Sequence, residues 1–405
     1  MTDRRHTAQR HGSDAAGVRR DFASLHLLRA LAALAVMAGH ARAFVLPDYE
    51  LLPEPGAMTA AFYVVTGLGH QAVIVFFVLS GFLIAGSVLD RTQSGRWSWR
   101  DYAVERLSRL WVVLIPSLVL TLLWDRLGMS MASAPDGFYA GALDSLYHSG
   151  PAQPGGAVHN AGVFLANVFF LQTVAAPTYG SNGPLWSLAN EFWYYVIFPL
   201  GFIALTGRTA EIWRIGCAAA ALALCLLLPR AMVWLGLVWL FGALVAVWHR
   251  RAGDGRRALH PWIAAGLALL FIATLAAVRL AATPGVASDL VTGAAAALLV
   301  AALVHTDDRR MPGQPLVRAL SDMSYTLYLF HFPLFAFLAV AVLGEQKLAF
   351  APAGIAVFAG FVAAALVYSF AGYLAFERNT TWIRRRIGAA LGAMKGRPLP
   401  LRREP

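Results

Sequence analysis

Long apolar stretches alternate with short polar segments along almost the whole chain. Most of the stretches are long enough to cross a bilayer as a helix, which takes roughly 17–25 residues. The pattern predicts ten spans, at residues 25–45, 72–89, 107–125, 185–206, 213–228, 231–248, 262–281, 286–304, 322–343 and 351–376. The pair within 213–248 is divided only by Pro229 and Arg230. The pattern therefore predicts an all-α, polytopic membrane protein with about ten transmembrane helices.

The polar segments divide the chain into a membrane domain and two tails. Residues 1–24 and 377–405 are basic and are expected to be tails, whereas residues 25–376 form the membrane domain. The longest loop, 128–184, contains one apolar piece, "AGVFLANVFFLQ", that is too short to span a bilayer. We expect this piece to be packed against the spans or re-entrant.

Composition and charge agree with a membrane location. The chain is 58% hydrophobic and 14% charged, with a mean hydropathy of +0.59, whereas soluble domains average about 25% charged residues. Of its 33 Lys and Arg residues, 26 fall in the tails and loops on one side of the predicted spans, and loop 128–184 has none. The positive-inside rule then predicts a multi-pass protein of the inner (plasma) membrane with both termini cytoplasmic. The net charge of +11 is explained by this orientation, so no nucleic-acid partner is expected.

The N-terminus allows one other interpretation. Arg19 and Arg20 precede an apolar run that ends in "AGHARA", which resembles a twin-arginine signal peptide with a cleavage site. Nine further spans follow this run, whereas that pathway mainly exports folded soluble proteins. We therefore expect the first span to be retained.

The residues that commonly hold metals show no suitable spacing. Cys217 and Cys225 lie eight positions apart in one span, which separates them by about 12 Å on a helix and prevents a disulfide between them. The histidines lack the paired spacing of metal sites. No metal is expected.

Arg29 and His40 stand at the two ends of an apolar run in the first span, "RALAALAVMAGH". Polar groups at membrane depth are costly and often functional. Eleven residues separate the two, so they share a helix face within roughly 20° and lie roughly 16 Å apart along the axis. The small residues between them suit a groove for a long ligand with an anionic head near Arg29. Tight helix packing, with His40 bonded to a neighbour, is the alternative.

Further motifs follow in a fixed order along the chain. Arg29 and His40 are succeeded by "FFVLSGFL" at 76–83, by Arg106 and Arg109, by "PLWSLANEFWYYVIFP" at 184–199, and by "SYTLYLFHFP" at 324–333. Together these motifs, which span about residues 25–376, resemble the acyltransferase-3 family of integral membrane O-acyltransferases.

The resemblance implies transfer of an acyl group, usually acetyl, from cytoplasmic acyl-CoA to a hydroxyl of a carbohydrate or glycolipid. Acyl-CoA would be a donor substrate, with no permanently bound cofactor. His40 would act as general base, and Glu191 would orient His40 or bind sugar hydroxyls. The arginines Arg29, Arg106 and Arg109 would bind the CoA phosphates, and the acceptor would contact Trp186, Tyr328 and His331.

Each role has a structural alternative. Arg106 and Arg109 could simply be positive-inside anchors, and Glu191 could stabilise helix packing. Ser324, Tyr328 and His331 fall on one helical face, where structural hydrogen bonding is the alternative.

The chain departs from the family pattern at two positions. An acidic residue often lies three positions before the first-helix arginine, where this chain has His26. A second acidic residue often follows the position of Glu191, where this chain has Phe192. Arg29 is therefore expected to lack a local carboxylate partner.

A transporter or flippase for a glycan or lipid-linked intermediate is the competing function. Ten spans with polar residues inside the membrane are also typical of carriers. We find no matched pair of broken spans in the two halves of the chain, which argues against this class.

Overall fold

The computed structural model describes residues 22–132, 137–143, 146–147, 150–152, 155–207, 209–251, 259–281, 285–305 and 313–393. These residues form fourteen α-helices: α1 (Ala23–Val45), α2 (Ala57–Thr66), α3 (Gly69–Gln93), α4 (Trp99–Met131), α5 (Ala161–Val168), α6 (Leu185–Thr206), α7 (Glu211–Leu227), α8 (Arg230–Arg251), α9 (Pro261–Ala281), α10 (Val286–Leu303), α11 (Gln314–Asp322), α12 (Ser324–Leu343), α13 (Pro352–Ala375) and α14 (Thr380–Ala393). No strand occurs within the described ranges.

The protein is an all-α, polytopic membrane protein, as the hydropathy pattern predicts. Nine helical segments among the described residues are long and apolar enough to cross a membrane. The remaining predicted span, 213–228, corresponds to α7, which has 17 residues. At 1.5 Å per residue that helix is about 25 Å long, at the lower limit for a bilayer.

Several elements differ from the hydropathy prediction at their boundaries. Helix α2 was not predicted, because its 10 residues are too few to register as a span. Helix α4 begins well before the predicted 107–125 span, at the N-cap Ser98, whose Oγ accepts from the backbone N–H of Asp101 at 3.3 Å. The predicted 322–343 span corresponds to α12, which begins at Ser324, and Met323 separates it from α11. The predicted C-terminal tail contains α14, which packs along α4.

Helices α3 and α8 form the closest helix pair of the bundle through two glycines. A Cβ on Gly81 of α3 would collide with the backbone of Trp239, and a Cβ on Gly242 of α8 would collide with the backbone of Val78. Helices in membranes gain contact mainly by such close approach of small residues. Any larger residue at either glycine would push the two helices apart.

Helix α1 lies at the centre of the bundle and runs parallel to α12. We call the end of the bundle that holds the N-terminus of α1 the inner end, and the opposite end the outer end. At the inner end, His26 Nδ1 lies 2.9 Å from Ser321 Oγ, just before α12 begins. At the outer end, the N–H of Leu348 donates to the carbonyl of Val45 at 2.8 Å. This parallel alignment brings the outer half of α1 against the middle of α12.

Candidate active site

A pocket of about 290 Å³ opens in the outer half of the bundle. Helix α1 contributes the face that carries Val36, Gly39, His40 and Ala43. The wall opposite combines aromatic and polar side chains from several other elements, namely His70, Tyr147, Trp186, Tyr328 and Phe332. The pocket therefore joins three of the predicted site residues, His40, Trp186 and Tyr328.

His40 is hydrogen-bonded to His331. The Nδ1 atom of His40 lies 2.8 Å from Nε2 of His331, and the two rings stack with centroids 5.1 Å apart. On its other side, Nδ1 of His331 lies 2.7 Å from the backbone carbonyl of Leu327, one helical turn earlier in α12. His331 is fully buried, whereas His40 is half-buried and lines the pocket.

The hydrogen-bond pattern determines the tautomers of both rings. A carbonyl oxygen only accepts, so Nδ1 of His331 carries a hydrogen. In a neutral His331 ring the other nitrogen, Nε2, therefore accepts, and Nδ1 of His40 is the donor. This leaves Nε2 of His40 without a hydrogen, and that atom has no hydrogen-bond partner within the described part of the chain. His40 is thus held as a base with its lone pair unused.

Tyr328 and Trp186 form the wall of the pocket on the side of α6. The hydroxyl of Tyr328 lies 2.6 Å from Ser187 Oγ and donates to the carbonyl of Pro184 at 3.2 Å. The Trp186 ring stacks on His70 with centroids 6.4 Å apart. The tyrosine hydroxyl is therefore occupied by helix-to-helix bonds, while the ring of Tyr328 faces the pocket together with Trp186.

Glu191 lies in a different environment from the one predicted. Its Oε1 accepts from Ser80 Oγ at 2.9 Å and from the hydroxyl of Tyr195. The indole of Trp239 donates to the same Ser80 hydroxyl at 3.2 Å. No hydrogen bond joins Glu191 to His40, because the α12 histidine occupies that position. The structure thus brings Glu191 to α3 and not to His40, and its predicted roles in orienting His40 or binding sugar hydroxyls stay predictions.

A cluster of charges lies on the inner side of His40. Arg29 is within electrostatic range of Arg109, Glu377 and Glu191. Glu377, in the 3₁₀ turn after α13, accepts at Oε2 from the hydroxyl of Thr326 at 2.7 Å and from its N–H at 3.1 Å. Arg109 is exposed and Arg29 is half-buried. The spacing argument placed Arg29 on the face of His40, and the structure adds Arg109 and two carboxylates around it.

Arg106 is held by local contacts next to this cluster. Its Nη2 donates to Ser87 Oγ at 3.0 Å, and its guanidinium lies 5.4 Å from the ring centroid of Tyr102. Glu105 Oε1 is 3.6 Å from Nη2, while Nε of Arg106 is buried without a hydrogen-bond partner in the described part of the chain. One donor of Arg106 therefore remains unused.

Sequence reasoning missed Glu377 and did not predict the hydrogen bond of His331 to His40. Glu377 is the first acidic residue after the last span and precedes a basic run, a signal that gives no hint of its contact with Thr326. His331 was predicted only as an acceptor-binding residue.

Ser324, on the same predicted face, has a buried hydroxyl without a partner among the described residues. The described residues also contain no group of three or more His, Cys, Asp or Glu side chains of the kind that holds a metal.

Comparisons with known proteins agree with these observations. A family model described as an acyltransferase domain matches residues 22–374. An acyltransferase of Streptomyces mycarofaciens, MdmB, is 29% identical over 206 residues, which cover 50% of this chain and 45% of the relative. The aligned part is therefore less than half of that relative. No solved structure matches the chain.

Proposed function

We propose, from the premise that this chain belongs to the acyltransferase-3 family, that it is a membrane O-acyltransferase. It moves an acyl group, typically acetyl, from cytoplasmic acyl-CoA to a hydroxyl of a carbohydrate or glycolipid acceptor. The observation that carries this proposal is the hydrogen-bonded chain from the Leu327 carbonyl through His331 to His40. It presents an unprotonated imidazole nitrogen at a pocket large enough for a sugar ring.

The reaction that this geometry supports is a direct acyl transfer. Nε2 of His40 takes the proton of the acceptor hydroxyl while that oxygen attacks the thioester carbonyl. The new C–O bond forms, the C–S bond breaks, and the CoA thiolate leaves with the proton returned by His40. During transfer the positive charge on His40 is stabilised by Nε2 of His331, which accepts from Nδ1 of His40.

The donor reaches His40 from the inner end. Arg29 lies roughly 16 Å along the helix axis from His40, and Arg109 adds a second guanidinium near it. Guanidinium groups bind phosphates in a bidentate manner, so the two would hold the CoA phosphates, with the unused donor of Arg106 nearby. Where the family often has an acidic residue near the first-helix arginine, this chain has His26. Glu377 supplies a carboxylate in its place, because its bond to Thr326 holds it within electrostatic range of Arg29 and Arg109.

The acceptor enters from the outer end. Trp186 and Tyr328 offer apolar ring faces to a sugar, and the pocket that they line contains His40. Sugars pack their apolar faces on aromatic rings while their hydroxyls bond to polar groups. His331 does not reach this acceptor directly in our proposal, because it is fully buried behind His40.

The proposed orientation places the inner end in the cytoplasm. The excess of basic residues at that end supports it. A cysteine introduced at the exposed position Ala175 should react with an impermeant maleimide in intact cells, whereas one at exposed Gln93 should react only after lysis. The reverse pattern would require both termini to lie outside the cytoplasm.

Consumption of the thioester tests the function most directly. Purified protein in detergent, supplied with radiolabelled acetyl-CoA and no acceptor, should release labelled acetate slowly as water replaces the acceptor hydroxyl. A transporter or flippase would leave the thioester intact. Intact acetyl-CoA after prolonged incubation, both with and without a mixture of sugar acceptors, would contradict the proposal.

The donor site makes a separate prediction for Arg29. Replacing Arg29 by Ala should weaken CoA binding about 10-fold or more, because a hydrogen bond to a charged group is lost. Replacement by Lys should weaken binding less, since Lys keeps the charge but not the planar fork. Isothermal calorimetry with CoA measures both, and Arg385→Ala, an exposed arginine of α14, serves as the matched control. Equal affinities of wild type and Arg29→Ala would leave helix anchoring as the role of Arg29.

A further inference from the structure

Arg42 lines the pocket two residues after His40 and forms no ion pair with a residue that the structure describes. Its guanidinium stacks on the ring of Tyr63, 4.8 Å from the centroid. Its Nε is buried and has no hydrogen-bond partner among the residues that the structure describes. Within the same residues no carboxylate lies within ion-pairing distance of Arg42. Arg42 is thus a cation at the acceptor side of His40 whose Nε donor is unused among the described residues.

A second guanidinium lies beside the first. Arg279, near the end of α9, packs directly on Gly67, which lines the same pocket. Arg42 and Arg279 are within electrostatic range of one another. The Nε of Arg279 is also buried without a hydrogen-bond partner in the described ranges. Two like charges in a partly buried site repel each other unless an anion lies between or beside them.

The two carboxylates on this side of the bundle already have other partners. Asp48 Oδ2, which lines the pocket, lies 3.3 Å from the ammonium of Lys347. Burial lowers the pKa of Lys347, and the charge of Asp48 acts in the opposite direction. Asp289 Oδ1 lies 2.7 Å from Nε2 of His70 at the rim. Asp48 is thus shared between Lys347 and Arg42, which lies within its electrostatic range. One carboxylate shared in this way compensates the charge of the arginine pair only in part.

We propose that the acceptor carries an anionic group, a carboxylate or a phosphate, that Arg42 binds with Arg279 beside it. The inference rests on the proposed acyl transfer and specifies its acceptor. Arg42 and His40 line the same pocket and are separated by only about 3 Å of helix axis, so the anion would lie close to the hydroxyl that is acylated. Carboxylate and phosphate share the oxygen geometry that a guanidinium fork recognises with two parallel hydrogen bonds.

The proposed contact also satisfies the buried donors. An anion at this position gives the Nε of Arg42 an acceptor, which it lacks among the described residues, and leaving such a buried donor unpaired costs free energy. The hydroxyl of Tyr147, which also lines the pocket, is buried without a partner in the described part of the chain. Burial raises the pKa of Tyr147 to about 12, so it remains a neutral donor. It adds a third unused donor to this wall.

Three probes that share one sugar ring and differ in their charged group test the proposal with the full-length protein in uncharged detergent. Calorimetry compares glucose, glucuronate and glucose 1-phosphate as ligands for wild type, Arg42→Gln and Arg42→Lys. At least one anionic sugar should bind wild type about 10-fold or more tightly than glucose. Arg42→Gln should remove this preference and leave the affinity for glucose nearly unchanged, whereas Arg42→Lys should keep part of it. The matched control is Arg230→Gln, an exposed arginine at the start of α8.

The probes also distinguish the sources of the anion. A preference for glucuronate alone assigns an acidic sugar, and a preference for glucose 1-phosphate alone assigns a sugar phosphate. Loss of both preferences when the detergent is replaced by nanodiscs of anionic phospholipid would show that lipid phosphate occupies the arginines, which overturns the proposal. Equal binding of all three sugars to wild type, or no binding of either anionic sugar, also overturns it.

Failure of the inference is separable from failure of the proposed function. Thioester hydrolysis by wild type is measured without any acceptor, so it does not depend on the charge of the ligand. Acetyl-CoA hydrolysis without a preference for anionic sugars would reject only the anionic acceptor. A preference for anionic sugars without acetyl-CoA hydrolysis would reject acyl transfer, and with it the acceptor role of the arginine pair.

Discussion

Replacing His40 by Ala will abolish acyl transfer while the protein remains folded and inserted. His40 contributes the lone pair that takes the acceptor proton, and a positioned general base typically accelerates a reaction about 10²–10⁴-fold. The residue is half-buried at a pocket wall, so its removal leaves no large cavity. A product assay with radiolabelled acetyl-CoA should show activity near background, while calorimetry should show CoA binding close to that of wild type.

The variant His40→Gln makes this test specific for proton transfer. The amide can donate to Nε2 of His331 as Nδ1 of His40 does, but it cannot take a proton at neutral pH. We therefore expect His40→Gln to be as inactive as His40→Ala, with an unchanged melting temperature in detergent. Retention of most activity would make His40 a structural hydrogen-bonder, and the base would have to be sought at His331 or Glu191.

Replacing His331 by Leu will lower the rate about 10–10²-fold, the range expected when a group that orients an active residue is lost. His331 touches no substrate in our proposal, because it is buried behind His40. It acts by accepting from Nδ1 of His40, which selects the tautomer of that ring. The rate constant kcat should therefore fall while KM for acyl-CoA stays nearly constant.

A spectroscopic measurement separates this positioning role from a purely structural one. In protein labelled with ¹⁵N-histidine, the Nδ1 signal of His40 should show a bound proton in wild type and a mixture of tautomers in His331→Leu. His331→Gln, whose side-chain oxygen can accept from His40, should recover part of the rate. Loss of activity in His331→Leu with an unchanged His40 tautomer would show that the histidine only maintains helix packing.

The spans could be predicted from the sequence because each depends on local hydropathy alone. The alignment of Arg29 with His40 could also be predicted, since both lie on one helix whose period is known. The separation of α11 from α12 at Met323 could not be predicted, because α11 is a short amphipathic helix that does not register as a span. Hydropathy shows which segments are apolar enough to lie in the membrane. It does not show where one helix ends and the next begins in a new direction.

Contacts between helices were the part that the sequence did not reveal. Glu191 was correctly placed within a span, but its side chain points to Ser80 and Tyr195 rather than to His40. The position of Glu191 along α6 specifies its depth in the membrane. The direction of its side chain depends on the rotation of α6 about its own axis relative to α3. His331 was predicted to bind the acceptor, and only the packing of α12 against α1 shows that its Nε2 meets His40.

The bond between His40 and His331 joins residues that are 291 positions apart, which has a consequence for synthesis of the protein. Ribosomes add roughly 5–20 residues per second, so His331 is made roughly 15–60 s after His40. During that interval α1 already contains an imidazole that lacks its α12 partner. A polar side chain in an apolar helix favours contact with other polar groups. Capture of α12 by α1 is therefore a late step of membrane insertion, and a nascent chain that stops before α12 contains no oriented base.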